Sequence, residues 1–243
     1  MPHGSNFLLG RLSPMTLSRV APYLSLVDLP AAEVLAEPHQ RIQRVYFPYS
    51  GIISSVVELT DGGMIETGMI GNDGVFGASQ AMDDKLSLNL ATVQIAGKAS
   101  VISVDRLRAL AADLPDFRAL LVKYEQFFLA QVQQTAACNA VHDIDARTCK
   151  WLARMHDLVG PDLLLTQEYF ARMMGVRRTS VTTVAGALQA NGLISYSRGR
   201  LHIVDIEQIR RRACECDHAI QLHYQKLFSP VEADAPKDQC AGR

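Results

Sequence analysis

Residues 164–204 constrain the fold more than any other stretch of this 243-residue chain. They read as a helix, a glycine turn, a second helix and a basic hairpin. Thr166 is a candidate N-cap, with Glu168 in the first turn where the helix dipole favours an anion. Tyr169, Phe170, Met173 and Met174 make an apolar face at helical spacing, and Gly175 follows where a left-handed turn residue belongs. A second helix is predicted from about Arg178 to Ala190, because Val181, Val184, Ala185 and Leu188 recur on one face. Arg178, Thr179, Thr182, Thr183 and Gly186 are left on or near the opposite face, and Asn191-Gly192 stops the helix. Leu193–Tyr196 and Leu201–Val204 are strand-like, with Ser197-Arg198-Gly199-Arg200 turning between them.

This layout is that of a winged helix-turn-helix, which sets one helix into a DNA major groove. Charge agrees. The chain carries a formal net charge of −1. Between Thr166 and Ile203, however, Arg172, Arg177, Arg178, Arg198 and Arg200 face a single acid, Glu168. Such local asymmetry suits a polyanion.

The length suggests two domains with separate cores, and the composition, 48% hydrophobic and 20% charged, is that of an ordinary globular protein. No apolar run is long enough to span a membrane, and Met1–Asn6 lacks signal-peptide character, so a cytoplasmic location is expected. Cys138, Cys149, Cys214, Cys216 and Cys240 are scattered and odd in number, which is not a disulfide framework.

Residues 7–25 predict one or two short helices, broken by Pro14 and Pro22. From Val27 to about Val104, β-rich runs alternate with turn signals. The runs are 41–47, 52–59, 64–70 and 90–95; the turns are Pro48–Gly51, Asp61–Gly63 and Gly71–Gly74. Strands at this spacing predict an antiparallel sandwich or barrel. Leu107–Leu114 reads as a helix ended by Pro115, and a long helix follows from about Asp116 to Ala140. Along it Phe117, Leu121, Tyr124 and Phe128 fit an alternating four-three seam, continued by the polar Gln131 and Thr135, and this seam is the expected dimer contact. Polar groups at its far end would fix register or touch a ligand. Asp143–Val159 is another helix, capped by Asp143 or Asp145, with Trp151 as a packing anchor. Residues after Ser229 show no periodicity and read as a disordered tail.

The order of β-rich domain, long helix and winged helix-turn-helix resembles the Crp/Fnr family of bacterial transcription regulators. The local matches are 45–51, 71–77 and 165–181, with Cys214-Glu215-Cys216 as a subgroup signature. The resemblance covers about Phe7 to Gln221. It implies an α+β fold: a cupin-like double-stranded β-helix sensor domain, a long dimerisation helix and a winged helix-turn-helix. The expected divisions are 1–114, 115–142 and 143–228, with 229–243 as the tail. The implied partners are duplex DNA and a second copy of the chain; an activator of this kind would also meet RNA polymerase.

The sensing chemistry departs from the family's best-known types. Cyclic-nucleotide binders carry Gly-Glu and, about ten residues on, Arg-Ser/Thr, the arginine pairing with the cyclic phosphate. Here Gly77-Ala78 and Leu88-Asn89 stand at those positions, and nearby Lys85 cannot supply the same fork, which argues against cyclic AMP. The first cysteine is Cys138, so an N-terminal iron–sulfur ligand set is missing. His39, His142 and His156 are scattered and leave a haem sensor open. Cys214 and Cys216 suit a structural, redox or metal-linked role, but the pair lacks the other ligands of a zinc site, so no metal site is expected. The effector is unknown.

In the resembling family the second helix reads bases through Arg-Glu and a later Arg. Arg178 matches the first arginine, while Thr179 and Thr183 replace the other two, so a different half-site is implied. Arg178 would read a guanine edge. Thr166, Gln167, Ser180, Arg198 and Arg200 are expected on phosphates; Arg177 suits either role, and Thr182 lies on the same face. The rival reading is a ligand- or redox-sensing module whose DNA binding is gated or vestigial. An enzyme is disfavoured: no nucleophile elbow or phosphate loop is present, and Glu58, Glu66 and Asp73 read as solvated faces.

Overall fold

The computed structural model describes residues 5–82 and 86–229. Lys85, Cys240 and the expected tail after Ser229 lie outside the described residues. Two short helices open the chain, α1 (Phe7–Gly10) and α2 (Pro14–Val20). Pro14 starts α2 rather than breaking it, since a proline at the first helical position forfeits no hydrogen bond. Five antiparallel strands follow: β1 (Ser25–Leu29), β2 (Val34–Ala36), β3 (Arg44–Glu58), β4 (Met64–Ile70) and β5 (Leu90–Ser103). They pair in the order β1-β5-β3-β4, with β2 also on β5.

Pro48–Gly51 is not the expected turn. β3 runs straight through it, and its register against β5 shifts between Pro48 and Ile53. Two glycines permit this bulge. Gly51 sits at φ +77°, and a Cβ on Gly97 would fall 2.1 Å from the Ser50 carbonyl oxygen. The Asp61-Gly62 hairpin between β3 and β4 forms as expected.

A short helix α3 (Ala78–Met82) precedes β5, and α4 (Val104–Asp113) and the long α5 (Pro115–Val141) succeed it. The C-terminal part comprises α6 (Ile144–Val159), β6 (Asp162–Leu164), α7 (Gln167–Met174), α8 (Arg178–Ala190), β7 (Ile194–Ser197), β8 (Arg200–Ile203), α9 (Ile206–Arg212) and α10 (Cys216–Phe228). Asp143 caps α6 through the Ala146 N–H. No helix among the described residues is long and apolar enough to cross a membrane.

Two cores result. One fills the β-roll and takes in α4 and α5; the other joins α6–α9 to Ile52, Val56 and Met69 on the roll's outer side. α10 belongs by packing to the first core, through Ile220 and Phe228, so it does not group with the rest of 143–228. Its Tyr224 meets Phe127 edge-on at 4.8 Å and Phe7 at 5.3 Å.

The expected dimer seam needs correction. Phe117, Leu121, Tyr124 and Gln131 are buried inside their own chain, and Phe128 packs against the same core. The Gln131 side-chain oxygen accepts the Met69 N–H at 2.8 Å, fastening α5 to β4. Helix α5 carries two apolar stripes, and the bulkier one faces the β-roll because that face removes more apolar surface from water.

Candidate nucleic-acid interface

Helices α7 and α8 are built by local signals. The Thr166 hydroxyl accepts the Tyr169 N–H at 3.2 Å, and Gly175 turns the chain at φ +64°. Phe170, Met173 and Met174 from α7 and Val181, Val184, Ala185 and Leu188 from α8 are buried together, with Phe170 stacked on Trp151 at 4.5 Å. The opposite face of α8 is left to solvent: Arg177, Arg178, Thr179, Thr182, Thr183 and Gly186 are exposed, while Ser180 is half-buried.

The wing turns at Arg198 (φ 49°) and Gly199 (φ 75°), both left-handed, as a two-residue hairpin requires. Tyr196 anchors it by donating to the Leu165 carbonyl at 2.7 Å; burial raises that phenol to about 12, so it stays a donor. Thr166, Gln167, Arg178, Tyr196, Arg198 and Gly199 line one groove between the two helix starts and the wing. Arg200 lies with Arg198 on the wing's other side. The single Thr182 hydroxyl proton is shared between the Gln167 side-chain oxygen at 2.9 Å and the Arg178 carbonyl at 3.0 Å, and Thr183 donates to the Thr179 carbonyl at 3.1 Å. In the free protein the methyls of these threonines are therefore their freer contact groups. Glu168 lies 4.0 Å from Arg178, an exposed pair of little strength.

Residues 146–212 match the profile of the Crp-like helix-turn-helix domain. Most of the chain also superposes on solved Crp/Fnr structures. A transcriptional regulator of that family from Eubacterium rectale is 16% identical over 84% of this chain and 97% of its own, with TM-score 0.66. FixK2 from Bradyrhizobium japonicum is 13% identical over 79% and 98%, with TM-score 0.67. The c-di-GMP-responsive regulator CLP of Xanthomonas campestris is 19% identical over 79% and 99%, with TM-score 0.63. At these identities the likeness establishes the Crp/Fnr fold. No curated protein matches the sequence.

The Crp-like domain is docked against the β-roll through charges that sequence reading placed in solvent. Glu58 is exposed, but Glu66 is buried, accepting from Ser54 Oγ at 2.5 Å and Trp151 Nε1 at 2.8 Å. Burial raises its carboxyl to about 7, against the pull of both hydrogen bonds and of Lys150 and Arg154. Asp73 is half-buried and pairs with the half-buried Arg154 at 2.7 Å. Beside them lies a cavity of about 210 Å³ lined by residues including Glu66, Asp73, Gln131, Thr135, Arg154 and Tyr224. Asp73 Oδ1, Gln131 Nε2, Arg147 Nε and Arg154 Nε around it are buried without hydrogen-bond partners.

Gly77 and Asn89, compared above with the cyclic-nucleotide pairs, line a separate cleft with Ser55, Phe76, Ser79, Ser87 and Glu125, among others. Its described lining contains no lysine or arginine, and the Glu125 carboxylate occupies the Ser79 N–H that an anion would seek. Leu88 is 76% exposed.

One grouping was missed from the sequence. Cys214 and Cys216 are joined in space by Cys138 of α5 and by His142, the residue that follows that helix, their four ligand atoms lying within 4.8 Å of one another. The available signal was the four-residue spacing of Cys138 and His142, which places both on one helix face.

Proposed function

We propose that this protein is a non-enzymatic, sequence-specific transcription regulator that binds a palindromic duplex site as a homodimer. The observation that carries this reading is the exposed α8 face, bordered by the basic groove of Thr166, Gln167, Arg178 and Arg198. Arg178 reads a base edge; Arg177, Arg198 and Arg200 with Thr166, Gln167 and Ser180 hold phosphates; Thr179, Thr182 and Thr183 meet thymine methyls or base edges.

The dimer forms through the stripe of α5 that its own chain leaves uncovered. Ala119, Val122, Gln126, Leu129, Gln133, Ala136 and Ala140 are all exposed and alternate at three- and four-residue steps. That is a heptad seam, and its small residues allow two helices to approach closely. The cleft, whose described lining holds no lysine or arginine, supports loss of the usual cyclic-nucleotide ligand. The polar cavity between roll and Crp-like domain supports a second reading, in which an effector there gates DNA binding.

Two substitutions test the division of roles. Arg178→Ala relaxes base preference at one half-site position, worth about 1–3 kcal/mol there. Arg200→Ala weakens binding on every sequence and flattens the salt dependence by about one counterion. Titrations on matched and mutated duplexes across salt concentrations separate them; equal effects on all sequences would overturn the assignment.

A further inference from the structure

We propose that Cys138, His142, Cys214 and Cys216 form a structural zinc site that staples the long helix to the segment following the Crp-like domain. The donor set is Cys₃His, whose soft thiolates and single imidazole select zinc among the common divalent cations. The geometry is close to the required tetrahedron. Bonds of about 2.3 Å to sulfur put neighbouring ligand atoms about 3.8 Å apart. Cys138 Sγ and Cys214 Sγ stand 3.5 Å apart, and Cys216 Sγ is 3.6 Å from His142 Nδ1.

The surroundings carry the outer hydrogen bonds of a metal centre. His142 presents Nδ1 to the sulfurs, and its Nε2 lies 3.2 Å from the Glu215 carboxylate, the partner that fixes the tautomer and ring plane of a ligating histidine. Gln134 Nε2 donates to Cys216 Sγ at 3.1 Å. Cys216 is the first residue of α10. All three cysteines are buried. With every position filled by protein, the site is closed and structural rather than catalytic.

The consequence is mechanical. Cys138 and His142 end α5, and Cys214 and Cys216 bracket the entry to α10, which packs into the β-roll core. Metal binding fixes how the Crp-like domain hangs between these two anchors. It does not depend on the DNA reading above.

Full-length protein purified under reducing conditions without chelator should contain one zinc per chain. Removing it should lower Tm, and adding zinc back should restore it. Cobalt(II) added to the metal-free wild type should give the ligand-field and thiolate charge-transfer bands of a tetrahedral site, which needs no variant to fold. Cys138→Ser and Cys216→Ser should lose the stoichiometric metal, His142→Cys should retain it with altered cobalt bands, and Cys149→Ser, in the other core, should leave it unchanged. Substoichiometric zinc with no cobalt–thiolate absorption would overturn the proposal, as would a Cys138–Cys214 disulfide forming in air in zinc-treated protein, or unchanged metal content in the Cys138 and Cys216 variants.

Discussion

Leu129→Glu should convert the protein from dimer to monomer at micromolar concentration and abolish tight binding to a palindromic site. Leu129 is 57% exposed and Val122 48% exposed on the uncovered stripe of α5. Burying a leucine is worth about 1.5–3 kcal/mol, and a two-fold interface counts it twice. The substitution removes that gain and sets two like charges near the dyad. The dimer dissociation constant should therefore rise at least about 100-fold, with Tm of the monomer little altered because the side chain touches no core. Sedimentation measures the first effect and duplexes carrying one or two half-sites measure the second. A dimer that survives Leu129→Glu would rule out this face. Phe117, Leu121 and Tyr124 make a poor test, since truncating them opens the monomer's own core.

Glu66→Gln should remove a pH dependence of stability. The Glu66 carboxyl rises from its ordinary value of 4.5 to about 7 because it is buried between β4 and α6. A carboxyl raised in the folded state holds its proton more tightly there than when unfolded. Its effect is therefore absent below about 4.5, grows as a loss of stability while pH climbs to about 7, and stays constant above. The full loss is about 3 kcal/mol, the cost of holding a charge where Trp151 and Ser54 offer only hydrogen bonds. Glutamine keeps an acceptor for Trp151 and offers a donor to Ser54 without the charge. At pH 8 the variant should melt higher, by up to roughly 6–12 °C, with the gain vanishing near pH 4.5. A variant equally destabilised at every pH would show that Glu66 titrates alike in the folded and unfolded chain, and a loss that grows with pH would show that the fold holds it ionised. Lys150, Arg154 and Tyr169 face the same carboxyl, so the comparison is always variant against wild type.

What the sequence disclosed divides along physical lines. The helix-turn-helix was legible because its determinants are local: the Thr166 cap, the left-handed Gly175 and the three-and-four spacing of Val181, Val184, Ala185 and Leu188 all act within a few residues. The α10 packing and the uncovered stripe of α5 were not, because periodicity reports that α5 has apolar faces but not which one its own β-roll covers. Pro48–Gly51 carries the composition of a turn and the geometry of a bulge, a distinction made by the partner strand at Gly97. Glu66 alternates along β4 as a solvent-facing residue would, and only docking of α6 turns that face into an interior. The Cys138, His142, Cys214 and Cys216 group unites residues more than seventy positions apart, with a cysteine–histidine step on one helix as its sole local trace.

The most direct test of the central claim is selection of the purified wild-type protein on random duplex DNA, with and without small molecules from a cell extract. The account predicts an enriched palindrome whose half-site centres lie about 34–36 Å apart, one helical turn, with the position read by Arg178 degenerate when Arg178→Ala is selected in parallel. A folded dimer that enriches no sequence under either condition would contradict it.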